Sequence, residues 1–380
     1  MNIIKALSVF LFFILLAIFP QTTASSALNA LNLWWNNVIP ALLPFFMIAE
    51  LLINIGVMDC LSIWLTPIMR PLFKLPGAAA LAVVMGFVSG APTGANIAAK
   101  LREKELCTNE EGERLIAFTN NCSPLFILIT ISVATLESPQ LGIWLLLSHY
   151  PVNLLLGIIL SFFAPKELIA KEKQTISFSA GLKALINCPR LPVGELLSNS
   201  IKKALGTIIT IGGFIVFFAV LTAILEETGL LRWLGFLFKP LLSLLGLDPS
   251  LSEALAHGFF ETTIGIAKLP QSQACLMEQT MAASIIIAWN GLSIQAQVAA
   301  MVYHTKLKLK YYLISRVIHS IIAPLVIIAA MPYIQTSAFS TINIQPKLTP
   351  LILLAFALGT IIVLAITGLY LGKTKKTHTI

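Results

Sequence analysis

Apolar runs long enough to cross a lipid bilayer recur along most of this chain, and nothing else in it constrains the fold as strongly. Bilayer hydrocarbon offers no water to backbone N–H and C=O groups, so a spanning segment must satisfy them inside a helix or a closed barrel. About 20 residues at a 1.5 Å rise cover a core ~30 Å thick. Runs of that order lie at 36–56, 114–135, 140–163, 203–226, 282–302, 311–333 and 349–372. A shorter run from Ala6 to Pro20 follows Lys5 and precedes the small residues Thr23, Ala24, Ser25 and Ser26. That flank is similar to a signal-peptide cleavage region, but the run reads as an uncleaved first helix. Hydrophobic residues make up 57% of the chain and charged ones 11%, against about 25% charged in soluble domains. A soluble core carrying one anchor is thereby excluded. The expected fold is an all-α polytopic membrane protein with about eight transmembrane helices.

Two further apolar segments, 76–99 and 249–270, are interrupted near their middles. The first holds Gly86, Ser89, Gly90, Pro92 and Gly94; the second holds Gly258, Glu261 and Gly265. Halves of about 10 residues reach ~15 Å, half way across, which suits re-entrant hairpins. Charge supports that reading. With a cytoplasmic N-terminus, one crossing per helix and none per hairpin, all but four of the 25 basic residues fall on the cytoplasmic side, as the positive-inside rule requires. The exceptions are Arg232, Lys239, Lys268 and Lys347. Counting either hairpin as a crossing would reverse every later loop. The net charge of +8 is therefore a topology signal rather than a nucleic-acid footprint, and both termini are expected in the cytoplasm.

The interrupted segments sit in matching contexts. Gly56, Pro67 and Pro76 recur 173 residues later as Gly229, Pro240 and Pro249. Gly86 recurs as Gly258, and Asn120 and Ser123 recur as Asn290 and Ser293. The units run in opposite senses through the expected topology, so the repeat is inverted. The chain then divides into an N-terminal helix and outer linker (1–35), a first repeat (36–163), a basic cytoplasmic linker (164–202), a second repeat (203–333), and a C-terminal helix with a basic tail (334–380). Inverted repeats with discontinuous helices point to a midplane substrate site and alternating access.

Candidate ligand residues cluster at the interruptions. Half-helix N-termini present N–H groups that suit an anion, and the first break adds Ser89, Gly90, Thr93 and Asn96. The second break carries Glu261, Thr262 and Thr263, and an acid at membrane depth by default marks an ion, proton or substrate path. His257, one turn earlier, could couple to its titration. Asn120, Asn121 and Ser123 in one unit, with Asn290 and Ser293 in the other, can read a polar ligand without burying charge. The competing roles are a packed Gly/Pro kink for the first break and interhelical hydrogen bonding for the amides. Glu50 reads as interfacial, the stretch from Lys100 to Arg114 as a solvated loop, and Lys268 as snorkelling or balancing an anion. Five widely spaced cysteines form no CxxC pair, so neither a disulfide framework nor a metal site is expected. No HExxH, GxSxG, Walker A or GxGxxG pattern indicates an enzyme or an ATP-driven pump. No cofactor is expected; active transport would draw on a proton or sodium gradient. The expected partners are a small anionic metabolite and the lipid bilayer, with room for a homo-oligomer.

In the stretches Asn36–Phe46, Gly86–Gly94, Thr119–Pro124 and Gly258–Glu261 the chain resembles the nucleoside-recognition gate domain family, which looks related to concentrative nucleoside transporters. Within it the likeness is to integral membrane proteins of sporulation, over roughly residues 30 to 335. The resemblance implies work in the mother-cell-derived membrane around the forespore, with dipicolinic acid as the associated cargo. It also implies that Glu261, Asn290 and Ser293 are similar to the acid and Asn–Ser pair that contact nucleosides. A dianion beside Glu261 requires that the acid be protonated or hold a cation. The alternatives are a nucleoside or nucleobase cargo, and a scaffold that transports nothing.

Overall fold

A computed structural model of the chain describes residues 2–164, 192–244 and 246–337. The span expected at 349–372, the basic tail, Cys188 and most of the 164–202 linker lie outside the described residues. Every regular element among the described residues is helical. Apolar residues 2–18 form α1 (Asn2–Ile18), and the chain then turns by 99° at Phe19 into α2 (Pro20–Leu33). From Pro20 to Asn54 the backbone stays helical, passing through a π-wound turn at Trp34–Val38 into α3 (Ile39–Asn54). Gly56, at φ +81°, then starts α4 (Val57–Phe73). The first hairpin is α5 (Ala79–Val88) and α6 (Thr93–Glu103). After it come α7 (Asn109–Thr119), the π-wound α8 (Phe126–Thr135) and α9 (Pro139–Phe162).

The second unit repeats this order. Its opening helix, α10 (Val193–Glu227), begins ten residues before the expected start of the span. Gly229, at φ +74°, leads into α11 (Leu230–Leu244), as Gly56 leads into α4. Pro67 and Pro240 lie inside those paired helices. The second hairpin is α12 (Ser252–Phe260) and α13 (Thr262–Lys268), and then follow α14 (Leu276–Trp289), α15 (Gly291–Val302) and α16 (Lys310–Ser337).

Two expectations are corrected here. The run 114–135 is not one continuous helix, and 282–302, although it lies within a stretch (Leu276–Thr305) long and apolar enough to cross a membrane, is interrupted at Asn290. Pro124 has no N–H and bars Ser123 from helical dihedrals, so the helix stops at Thr119 and restarts beyond it. Asn290 and Gly291 adopt φ of +69° and +55°, which separates α14 from α15. Each unit therefore holds two interruptions, one in its hairpin and one in the next helix. Four segments of the described residues are long and apolar enough to cross a membrane, or five if the bent α1–α2 pair is one span.

The hairpin arms close because glycines leave room. A methyl at Gly86 or Gly94 would fall on the carbonyl oxygen of Thr119, so the end of α7 is wedged between α5 and α6. In the second hairpin Gly265 lies against the backbone of Gly258. The two main cores are shared between units. One joins α4–α7 to Val298, Met301 and Val302 of α15 and Tyr312 of α16; the other joins α8 and α9 to Leu255, Ile266, Ala282 and Ile286. Large apolar side chains such as Phe10, Phe13, Ile209, Phe217, Ile321 and Leu325 remain exposed, as lipid-facing surface should be.

Several charges depart from the solvated roles expected of them. Glu50 is buried and ion-paired with Lys100, tying α3 to α6. The stretch from Lys100 to Arg114 is ordered: Glu111 pairs with Arg70 and closes a capping box with Thr108, and Glu113 accepts from Lys308 N at 3.1 Å. Arg114 is buried and donates to the carbonyls of Phe73 (3.0 Å) and Lys74 (2.9 Å) at the end of α4. Arg316 is buried within α16. Neither arginine is a cytoplasmic surface charge. Lys268 bridges Glu226 and Glu253 at 2.9 Å each. His257 Nε2 lies 3.3 Å from Glu226, so its ring engages α10 rather than Glu261.

Gly94→Ala and Gly265→Ala should each lower stability by roughly 1–3 kcal/mol through overpacking. Gly213, in open space on α10, should accept alanine neutrally or gain about 0.5–1 kcal/mol. Thermal unfolding of the purified variants in one detergent checks the contrast.

Candidate functional site

The hairpin tips and the helix breaks meet at one place. At the first tip Gly90 adopts φ +86°, which side chains rarely take, and stands tightly against Asn121 and Ser123. Ala91 N donates to Asn121 O at 2.7 Å, which docks the tip onto the break between α7 and α8. At the second tip Glu261 is extended and caps α13, accepting from Ile264 N at 2.7 Å and Thr263 Oγ1 at 3.3 Å. Gly291 packs against Phe260 O and Thr262 N, so the α14–α15 break supports this tip as the α7–α8 break supports the first.

Between them lies a cavity of about 400 Å³. Ser89, Gly90, Asn121, Ser123, Glu261, Thr262 and Thr263 line it, seven of the residues singled out from the sequence. Leu33, Val38 and Leu42 form one apolar wall, and Phe126, Ile129, Ile211 and Ile215 another. Both π-wound stretches border the cavity, through Asn37 and Val38 on one side and Phe126, Ile129 and Thr130 on the other. Such windings recur at functional sites because the wider turn redirects side chains. Among the described residues Glu261 is the one charged side chain in the lining. Thr262 Oγ1 is buried there without a partner.

The other five candidates stand behind the wall. Thr93 accepts from Ser89 Oγ at 2.9 Å, and Asn96 is buried in α6. Asn120 Oδ1 accepts from Ala95 N at 2.9 Å, and its Nδ2 donates to Ile116 O at 2.7 Å. Asn290 Nδ2 donates to Asn120 O at 2.8 Å, so residues matched by the repeat meet at the centre of the molecule. Ser293 accepts from Gln297 Nε2 at 3.4 Å. Asn120 and Asn290 bond helix to helix, the role that competed with ligand contact. The expected open helix N-termini are also corrected: Asn120 caps α6 and Glu261 caps α13, so part of each donor set is already used.

Sequence reasoning missed Asn37, Thr130 and Gln297 in the lining. Gln297 sits one turn beyond Ser293, a spacing that could have found it. Asn37 falls in the stretch that carried the family resemblance. A buried network behind the cavity was missed too. Asn153 Nδ2 donates to Asn121 Oδ1, and Asn153 Oδ1 accepts from Arg316 Nη2 at 2.6 Å.

In a background lacking the five native cysteines, single cysteines at Ser123 or Thr263 should react with a small water-soluble methanethiosulfonate. Cysteines at Thr93 or Ser293 should not. Mass spectrometry of the labelled protein reads the difference, and equal labelling of all four would remove the cavity from consideration.

The chain matches the Gate family, described as nucleoside recognition, over residues 35–166 and 208–307. It is 34% identical over 311 residues to the sporulation integral membrane protein YlbJ of Bacillus subtilis, covering 80% of this chain and 76% of that one. Among solved structures, an outward-facing variant of CNTnw is 14% identical with a TM-score of 0.47, covering 86% of this chain and 85% of that one. CNTnw in an inward-facing substrate-bound state is also 14% identical, with a TM-score of 0.42 and coverages of 76% and 74%. The chain is an integral membrane protein and belongs to the Gate family of nucleoside-recognition proteins.

Proposed function

We propose that the chain is a secondary transporter of a small organic anion, and that its cargo is dipicolinate crossing the outer forespore membrane during sporulation. The observation that carries the transport reading is the cavity where both hairpin tips and the α7–α8 break converge, with Glu261 its one charge among the described residues. Discontinuous helices in matching places of two repeats mark a midplane site in many secondary transporters. The inverted topology, with cytoplasmic termini, rests on the distribution of basic residues. The sporulation setting rests on the likeness to YlbJ.

A planar dianion suits the apolar walls, and Asn37, Asn121, Ser123, Thr130, Thr262 and Gln297 offer donors to its carboxylates. Glu261 repels that cargo while ionised. Protonated, it loses the repulsion and becomes a donor, so one proton would travel with each dianion. The same carboxylate favours a second reading, because an ionised Glu261 can accept from the hydroxyls of a neutral nucleoside.

Purified protein in proteoliposomes should take up dipicolinate saturably under an inward proton gradient. Glu261→Gln should abolish the response to that gradient while folding normally. Its flux should fall roughly tenfold or more, since a charge-assisted hydrogen bond contributes ~1.5–3 kcal/mol. Uptake of a nucleoside but not dipicolinate would transfer the conclusion to the second reading. No uptake of either would favour a scaffold.

A further inference from the structure

Behind the cavity the guanidinium of Arg316 is fully buried, and among the described residues no carboxylate stands within ion-pair distance of it. Its partners are neutral oxygens. Nη2 donates to Ala117 O at 3.0 Å and Asn153 Oδ1 at 2.6 Å. Nη1 reaches Asn120 O at 3.4 Å and Ala288 O at 3.5 Å. The Tyr312 ring lies 5.5 Å from the guanidinium carbon, and His149 and His319 are the other titratable neighbours. An unpaired cation at this depth is expensive, so what surrounds it must carry negative potential.

Three of the four oxygens explain how. Ala117 and Asn120 belong to the last turn and cap of α7, and Ala288 to the last turn of α14. Carbonyls there have no intrahelical partner and form the negative end of the helix dipole. Because α7 and α14 occupy matching places in the two units, two negative helix ends converge on one positive group. In transporters built from discontinuous helices, such ends are where a coupling metal cation is held.

We propose that Arg316 is a built-in counter-cation: its guanidinium fills the place an alkali metal ion would take between the broken helices, so this chain works without sodium. A second consequence, which rests on the transport reading, concerns the cargo. The Arg316–Asn153–Asn121 chain sets a fixed positive charge two hydrogen bonds behind the cavity lining, where its field offsets an anion's repulsion by Glu261.

Thermal unfolding of the purified full-length protein tests the first part without reference to any cargo. Unfolding is followed in choline, potassium, sodium and methylguanidinium chlorides at equal, low millimolar cation and constant ionic strength. Wild type should unfold at the same temperature in all four. Arg316→Ala should unfold several degrees lower in choline and recover saturably in sodium or methylguanidinium. Arg316→Lys, which keeps the charge, should stay indifferent to sodium, whereas Arg316→Gln should become sodium-responsive. Specific stabilisation of wild type by sodium would overturn the proposal, as would an Arg316→Gln protein deaf to every cation. The lysine and glutamine variants decide the matter even where alanine fails to fold. Dipicolinate uptake by wild type should be unchanged when choline replaces sodium. Absence of uptake in both salts would count against the transport reading, leaving the unfolding series to judge Arg316.

Discussion

A helix that stops inside a bilayer strands its terminal carbonyls and N–H groups where no water can reach them, and this fold depends on how that debt is met. Side chains settle it at four breaks. Asn120 caps α6, Glu261 caps α13, Asn290 bonds across to Asn120, and Arg316 gathers the carbonyl ends of α7 and α14. Remove these groups and the interruptions become buried, unsatisfied backbone at a cost of several kcal/mol each in hydrocarbon. The cavity exists because the breaks are tolerated, and the breaks are tolerated because these four side chains are present.

The duplication was legible because its marks are backbone requirements. Gly56 and Gly229 both take positive φ, Pro67 and Pro240 occupy the same place in paired helices, and Asn120 and Asn290 touch. The tips were legible for the same reason, and five of the seven residues chosen at them line the cavity, Thr93 and Asn96 being the exceptions. The breaks in 114–135 and 282–302 were readable as well. A Ser-Pro step at Ser123–Pro124 and an Asn-Gly step at Asn290–Gly291 both announce a stop. They were outweighed by counting apolar residues toward a full crossing, a measure blind to a helix that pauses and resumes.

What the sequence could not disclose is partnership at long range. Arg316 and Arg114 look like any other basic residue near the end of an apolar run, and the positive-inside rule absorbs them without complaint. Only the fold reveals that one closes the end of α4 and the other sits among helix ends contributed by both units. Glu50 and Lys100 are likewise 50 residues apart in the chain and paired in space. Charges in an apolar protein carry two meanings, orientation and internal pairing, and the linear pattern reports only the first.

The sharing of the two cores between units bears on how the protein is made. The surface of α4–α7 is completed by Val298, Met301 and Val302, which leave the ribosome roughly 200 residues after the first hairpin. At ~5–20 residues per second that interval is on the order of 10–40 s. Through it the first unit stands in the membrane with part of its packing surface unmatched and its Asn120 carbonyl lacking both later partners. Biogenesis thus has an obligatory waiting period, and a chaperone or insertase that shields the half-built unit acts on a state the finished protein no longer displays.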